Sequence, residues 1–347
     1  MSVTELLMQA KAKKAQEFLF IVGSEPRARA AKGWESLRAS PGLITEWNLL
    51  QHSFLDNQQK ALLETTGVVR GETSFENLRV GFSFFQQDST MKAVLDLDID
   101  GSRQDIQVPP SVLESCLSMK GLVILSGPGE AGQVTSLHKI LQKMNEEKSF
   151  LGVIFSSRAF PQIRESQASF IYHSGIFAKR EERETLLAGA DMVVFDGYAD
   201  ETSFLEALAL AERGVFVIYS MKAPSLPNAL RRCLAALSER YGAHGAPRMA
   251  EVLTMAFGQY SMAGLSGERV YAHEVLLVKP QIRELVETEN LKSLETLMQS
   301  APENSGILTL NQSLLQYLIR RRVDLKTAFE TSRDPDSLDL LLKKVGI

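Results

Sequence analysis

The sequence predicts an α/β protein in two parts, a small α+β domain followed by a larger α/β domain that ends in helices, and three observations carry that prediction. The chain has 347 residues, too many for one typical core and enough for two of ordinary size. A polar stretch at 100–110 closes with Pro109 and Pro110, and proline continues neither a helix nor a central strand. Beyond it, short near-continuous apolar runs at 122–125, 151–155, 192–195 and 215–219 alternate with helical stretches. Strands buried on both faces of a parallel sheet read that way.

Taken in order, Val3, Leu6, Leu7 and Ala10 fall on one helical face, and an apolar strand over 18–22 follows, closed by Gly23 and Pro26. Residues 75–86 and 91–99 read as strands separated by a polar turn. The first domain therefore spans 1–99, the linker 100–110 and the α/β domain 111–273. From 274 to 347 the period is helical, marked by Leu285, Leu291, Leu294 and Leu297, then Leu314, Leu315, Leu318 and Ile319. Arg320, Arg321 and Arg322 form the densest basic cluster and read as a solvated helix face.

Composition narrows the function classes. Lys and Arg number 38 against 42 Asp and Glu, a formal charge of -4, so electrostatics nominates neither nucleic acid nor a membrane surface. No apolar run reaches the roughly 18 residues of a membrane span, and any membrane association would go through a partner. Cys116 and Cys233 lie far apart without metal-ligand spacing, which fits a reducing cytoplasm and no metal site.

The stretch 122–125 runs into Ser126-Gly127-Pro128-Gly129-Glu130-Ala131-Gly132-Gln133-Val134-Thr135, followed by a helical pattern. Strand, glycine-rich turn and helix are the context of a phosphate-binding loop, and Gly127 and Gly132 have the spacing of the glycines in G-x-x-x-x-G-K-[ST]. The lysine position holds Gln133 and the magnesium-binding hydroxyl position Val134. The first offers hydrogen bonds without charge, and the second cannot hold a metal. Glu130 adds a carboxylate that would repel a phosphate charge at 5 Å by about 3 kcal/mol at an effective dielectric near 20. Such a turn can also serve the backbone alone, with no ligand.

Motifs along nearly the whole length carry a family resemblance. Ala15-Gln16-Glu17-Phe18-Leu19-Phe20 stands where A-S-D-L-H-L would, and Lys120-Gly121-Leu122-Val123-Ile124-Leu125-Ser126-Gly127-Pro128 follows R-G-L-V-L-V-T-G-P. Ala272-His273-Glu274-Val275 matches A-H-E-I/V, and Pro280-Gln281-Ile282-Arg283-Glu284-Leu285 lines up with P-A-I-R-N-L. With these motifs the chain resembles the retraction ATPases of type IV pili, the PilT branch of the secretion-ATPase superfamily. The resemblance implies a PAS-like N-terminal domain, a RecA-like domain with a C-terminal helical subdomain, and a ring with nucleotide at subunit interfaces. It also marks His273, Glu274, Ile282 and Arg283 as the retraction signature.

The resemblance further implies where catalytic groups should stand, and each position has lost its chemistry. The acidic box T-I-E-D-P reads Ile154-Phe155-Ser156-Ser157-Arg158. In the Walker B segment, which opens at Asp191, Gly197 takes the place of the catalytic glutamate. Asp196 is adjacent but one residue out of phase, so on a strand end it would face the other way. The histidine box has Lys222 at its histidine, and the arginine sensors of the N-terminal domain correspond to Gly81, Ser89 and Asp96, with Arg79 the basic group left nearby. A metal cluster of Asp191, Asp196 and Asp200 is less consistent with this segment than capping is.

The expectation is a protein that neither hydrolyses a nucleoside triphosphate nor uses a cofactor. It would act in the cytoplasm through an intact PilT-type ATPase or the inner-membrane platform of a pilus machine, in a ring or hetero-oligomer, without nucleic acid and without inserting into the membrane. Two alternatives stand beside it: a slow ATPase that uses Asp196 with the amides of the 127–132 turn, and a sensor that binds a non-nucleotide ligand in the vacated cleft.

Overall fold

The computed structural model describes residues 3–13, 15–30, 33–76, 78–97, 106–129, 131–156, 160, 163–164, 166–174, 180–197, 201–302 and 305–346. The chain divides into two compact units, Met1–Gln104 with Arg158–Gln162, and Asp105–Ser157 with Ile163–Ile347.

The first unit contains α1 (Val3–Ala12), β1 (Glu17–Ile21), β2 (Arg27–Ala30), β3 (Gly33–Ser36), α2 (Ile44–Phe54), α3 (Asn57–Thr66), β4 (Val68–Phe75), β5 (Leu78–Gln87) and β6 (Thr90–Asp96). Its six strands form an antiparallel sheet in the order β3-β2-β1-β6-β5-β4. Alternation fixes the buried face: Phe18 and Phe20 of β1, Phe82 and Phe84 of β5, and Ala93 and Leu95 of β6 all point inward. Helix α1 adds Leu6 and Leu7, and α2 adds Trp47, whose ring lies 5.3 Å from that of Phe84.

The second unit contains α4 (Pro110–Leu117), β7 (Leu122–Gly127), α5 (Gln133–Glu147), β8 (Leu151–Ser156), β9 (Ser169–Ser174), α6 (Arg180–Leu187), β10 (Met192–Asp196), α7 (Glu201–Glu212), β11 (Phe216–Lys222), α8 (Leu226–Tyr241), α9 (Gly245–Val252), β12 (Leu253–Ala263) and β13 (Arg269–Leu277). After these come α10 (Pro280–Glu287), α11 (Leu291–Ser300), β14 (Ile307–Leu308), α12 (Leu310–Ile319), α13 (Leu325–Thr331) and α14 (Pro335–Lys344). The eight-stranded sheet runs β14-β13-β12-β7-β11-β10-β8-β9, parallel from β9 to β12 and antiparallel from β12 to β14.

Strand β7 is internal to this sheet, so its end and the turn that follows are held by strands on both sides. Phe155, Phe195 and Tyr219 point to the face covered by α7 and α8. Each of the apolar runs read from the sequence forms one of the strands β7, β8, β10 and β11. Strand β9 and the β12–β13 hairpin were not marked by the sequence pattern.

Two boundaries move. Residue 274 does not open the helical region: β13 continues to Leu277 and the helices start at Pro280. Seven consecutive residues of β13 are buried, so the strand lacks the alternation that separates strand from helix. Pro110 does not end the linker but stands in the first turn of α4, where its missing N–H has no intrahelical partner to lose. In the C-terminal region the helices α12, α13 and α14 are capped by the side chains of Thr309, Asp324 and Asp334. They close a small core on Tyr260, Met262, Leu314, Val323 and Leu338. Among the described residues no helix is long and apolar enough to cross a membrane.

Candidate functional site

The glycine-rich turn leaves β7 with Ser126 beside Gly258 of β12 and Gly127 beside Lys222 of β11. Close approach dictates its glycines. A Cβ on Gly127 would lie 2.4 Å from the Gln259 carbonyl oxygen. Gly132 has φ 76°, and a Cβ there would meet the side chains of Ile106 at 2.7 Å and Tyr271 at 2.9 Å. Between these glycines the turn closes on itself, because the Ala131 N–H donates to the Pro128 carbonyl at 3.2 Å. Gln259 Nε2 donates to the Ala131 carbonyl, and Gln259 Oε1 accepts from Ser136 Oγ at 2.5 Å, which ties the turn and the first turn of α5 to β12. Gln259 and Ser136 are fully buried and Ala131 nearly so.

At the position of the lysine, Gln133 is buried and its Nε2 donates to the Met221 carbonyl of β11 at 2.9 Å. Its amide therefore satisfies a backbone acceptor of the neighbouring strand. Val134 offers no ligand atom, and Glu130 lies outside the described residues. A magnesium triphosphate needs a cation at its terminal phosphates and an oxygen ligand for the metal. Positions 133 and 134 supply neither, so this donor set does not fit that group.

At the ends of β8 and β10, Ser156 Oγ donates to Asp196 Oδ2 at 2.9 Å between directly paired positions of the two adjacent strands, with both side chains buried. Along β10, Phe195 stacks on Phe155 in the α7–α8 core, while Asp196, the next residue, points to the other face of the sheet. Gly197 follows with φ 77° and its N–H bonded to the Ser220 carbonyl at 3.1 Å. That left-handed backbone disfavours any residue with a Cβ. Asp191, at the opposite end of β10, accepts the Leu151 N–H at 2.9 Å. It caps the entry to β8 rather than sharing a site with Asp196. Ser157 and Asp200 lie outside the described residues. Lys222 is exposed at the end of β11, and its carbonyl accepts from Arg232 at 2.8 Å.

The retraction-signature residues are brought together with the core. His273 is buried, stacks on Phe257 with ring centroids 5.4 Å apart, and is depressed to about 4 by burial. Glu274, also buried, accepts the Tyr260 hydroxyl at 2.8 Å and faces the Arg333 guanidinium at 3.5 Å. Burial raises the pKa of its carboxyl, with Arg333 and Tyr260 opposing the rise. Ile282 fills the core, and Arg283 donates to the carbonyls of Ala250 and Glu251, which closes the C-terminal end of α9. In the first unit Gly81 sits in β5 between Glu72 and Asp96, Ser89 is exposed in the β5–β6 turn, and Asp96 ends β6 opposite Glu17.

Sequence reasoning missed Gln259 and Tyr260. Their signal was present: Gln259 is a polar residue inside an apolar strand, and a buried amide needs partners for both ends.

No family model matches the chain. It is 22% identical over 223 residues to the type IV pilus retraction ATPase PilT of Pseudomonas aeruginosa, covering 63% of this chain and 64% of that protein. It is 22% identical over 226 residues to a twitching motility protein of Neisseria gonorrhoeae, covering 63% of this chain and 60% of that one. The chain thus aligns with less than two thirds of the length of either relative. By structure it matches the pilus retraction motor PilT crystallised with ADP, with a TM-score of 0.78 at 21% identity, covering 98% of this chain and 99% of that one. The ATPase DotB of Legionella pneumophila follows with a TM-score of 0.75 at 13% identity over 94% and 93% of the two chains. The fold is that of PilT and DotB.

Proposed function

We propose that this chain is a non-catalytic relative of the PilT motors that serves as a subunit, scaffold or regulator of type IV pilus retraction or of a related secretion motor. In this reading it acts in the cytoplasm, recruited to the inner-membrane face of the machine by an intact PilT-type ATPase or by the platform itself. The observation that carries it is the use of Gln133: the side chain standing for the phosphate-binding lysine is buried against the Met221 carbonyl, in a turn closed by Ala131, Pro128 and Gln259. Gly197, left-handed where the catalytic glutamate is expected, supports the same reading. Each lost electrostatic stabiliser costs a factor of about 100 to 1,000 in rate, and several lost together leave no route to turnover, although such effects are not additive.

Steady-state phosphate release by the purified full chain in saturating magnesium and ATP tests this reading. The expected rate equals the protein-free blank. Release that scales with protein concentration and is abolished by Asp196→Asn would instead establish the slow ATPase.

A further inference from the structure

The basic cluster Arg320 to Arg322 is not a helix face, because α12 ends at Ile319 and the three arginines form the turn beyond it. That turn is closed by the Arg321 N–H on the Leu318 carbonyl at 3.0 Å and the Arg322 N–H on the Tyr317 carbonyl at 2.9 Å. This paired pattern ends a helix on a left-handed residue, a position that glycine takes most readily. Here it is Arg321, with φ 52°. The β12–β13 turn is stitched to the same spot: the Leu265 N–H donates to the Arg322 carbonyl at 3.0 Å, and the Arg322 guanidinium meets Glu268 at 3.3 Å. Leu265, Ile319 and Leu325, which border the two turns, are 57%, 55% and 49% exposed. Arg320 and Arg321 are exposed beside them, and neither has an ion pair among the described residues.

We propose that this apolar and basic patch docks an acidic amphipathic segment of another protein. The segment's carboxylates would meet Arg320 and Arg321, and its apolar side chains would cover Leu265, Ile319 and Leu325. Charge selects a protein over a membrane. Arg322 is offset by Glu268, Lys326 by Glu330 at 3.9 Å, and Asp324 is spent on capping α13. Basic segments that hold to anionic membranes gather about four to eight Lys and Arg, whereas this patch has two uncompensated guanidinium groups on a chain of net charge -4. Two guanidiniums beside three apolar side chains suit a short segment with two or more carboxylates. The proposal is independent of whether the glycine-rich turn holds a nucleotide.

The test is selection of a displayed library of random short peptides on the full chain, followed by measured affinities for Arg321→Gly and Arg320→Glu. Arg321→Gly removes one charge while relieving the left-handed backbone, so its Tm is expected to stay level or rise. Enriched peptides are expected to combine at least two Asp or Glu with a large apolar residue. Each variant should weaken their binding about tenfold, and added salt should weaken it further. Enrichment of neutral or basic peptides, affinity unchanged in both variants, or no enrichment at all would overturn the proposal. So would arginine-dependent sedimentation of the chain with anionic phosphatidylserine vesicles.

Discussion

A glutamine amide reaches one bond less far than a lysine ammonium and differs from it by a full charge. In the closed turn Gln133 supplies a neutral donor that the Met221 carbonyl satisfies. Replacing Gln133→Lys, Val134→Ser and Glu130→Gly together is expected to restore binding of magnesium and ATP without turnover, since Gly197, Ser156, Ser157 and Asp96 remain. Phosphate release by that triple variant above the blank would place the general base elsewhere. Gly197 is a separate obstacle. Installing Gly197→Glu at φ 77° is expected to cost about 1–2 kcal/mol of stability in urea unfolding. An unchanged midpoint would mean that the loop rearranges freely. The identities at 127, 132, 133 and 134 were legible in the sequence because motif spacing is a property of the chain. The partner Gln259, more than a hundred residues away, was not, because only the fold brings β12 beside the turn.

At the scale of elements, the apolar runs identified β7, β8, β10 and β11 because each is buried on both faces, and that same property concealed the reach of β13. With seven buried residues in succession and no polar alternation, β13 carries nothing in its period to separate it from the helices that follow. The strand also imposes a pH dependence. His273 titrates near 6.5 in an unfolded chain and near 4 in the fold, where burial opposes its charge. Between these values the unfolded state binds the extra proton, so stability falls as pH drops from about 6.5 to about 4, by up to about 3 kcal/mol. The raised Glu274 works in the opposite direction, losing stability as pH rises through its folded pKa. Comparing the chain with His273→Phe at matched pH cancels that contribution. The variant keeps the stacking on Phe257, and its stability is expected to decline less between pH 6.5 and 4. Parallel curves for the two proteins would show that His273 is not the group responsible.

At the scale of the molecule, the proposed loss of nucleotide binding would remove whatever stabilisation a bound nucleotide gives an assembly by mass action. The expected state of the chain alone is a monomer or small oligomer, and association with an intact relative is expected to depend on the nucleotide bound to that relative. Light scattering on the eluting protein checks this, and a stable homohexamer without nucleotide would favour an independent scaffold. The division into an α+β unit and a parallel-sheet unit was visible in the sequence through the change of periodicity near Pro109. The strand order was not, since pairing between distant segments leaves no local mark. The turn between β7 and α5 is expected not to grip a triphosphate, and calorimetric titration of the wild-type chain with magnesium and ATP measures this directly. No saturable heat is expected up to millimolar nucleotide, and dissociation in the low micromolar range would contradict it.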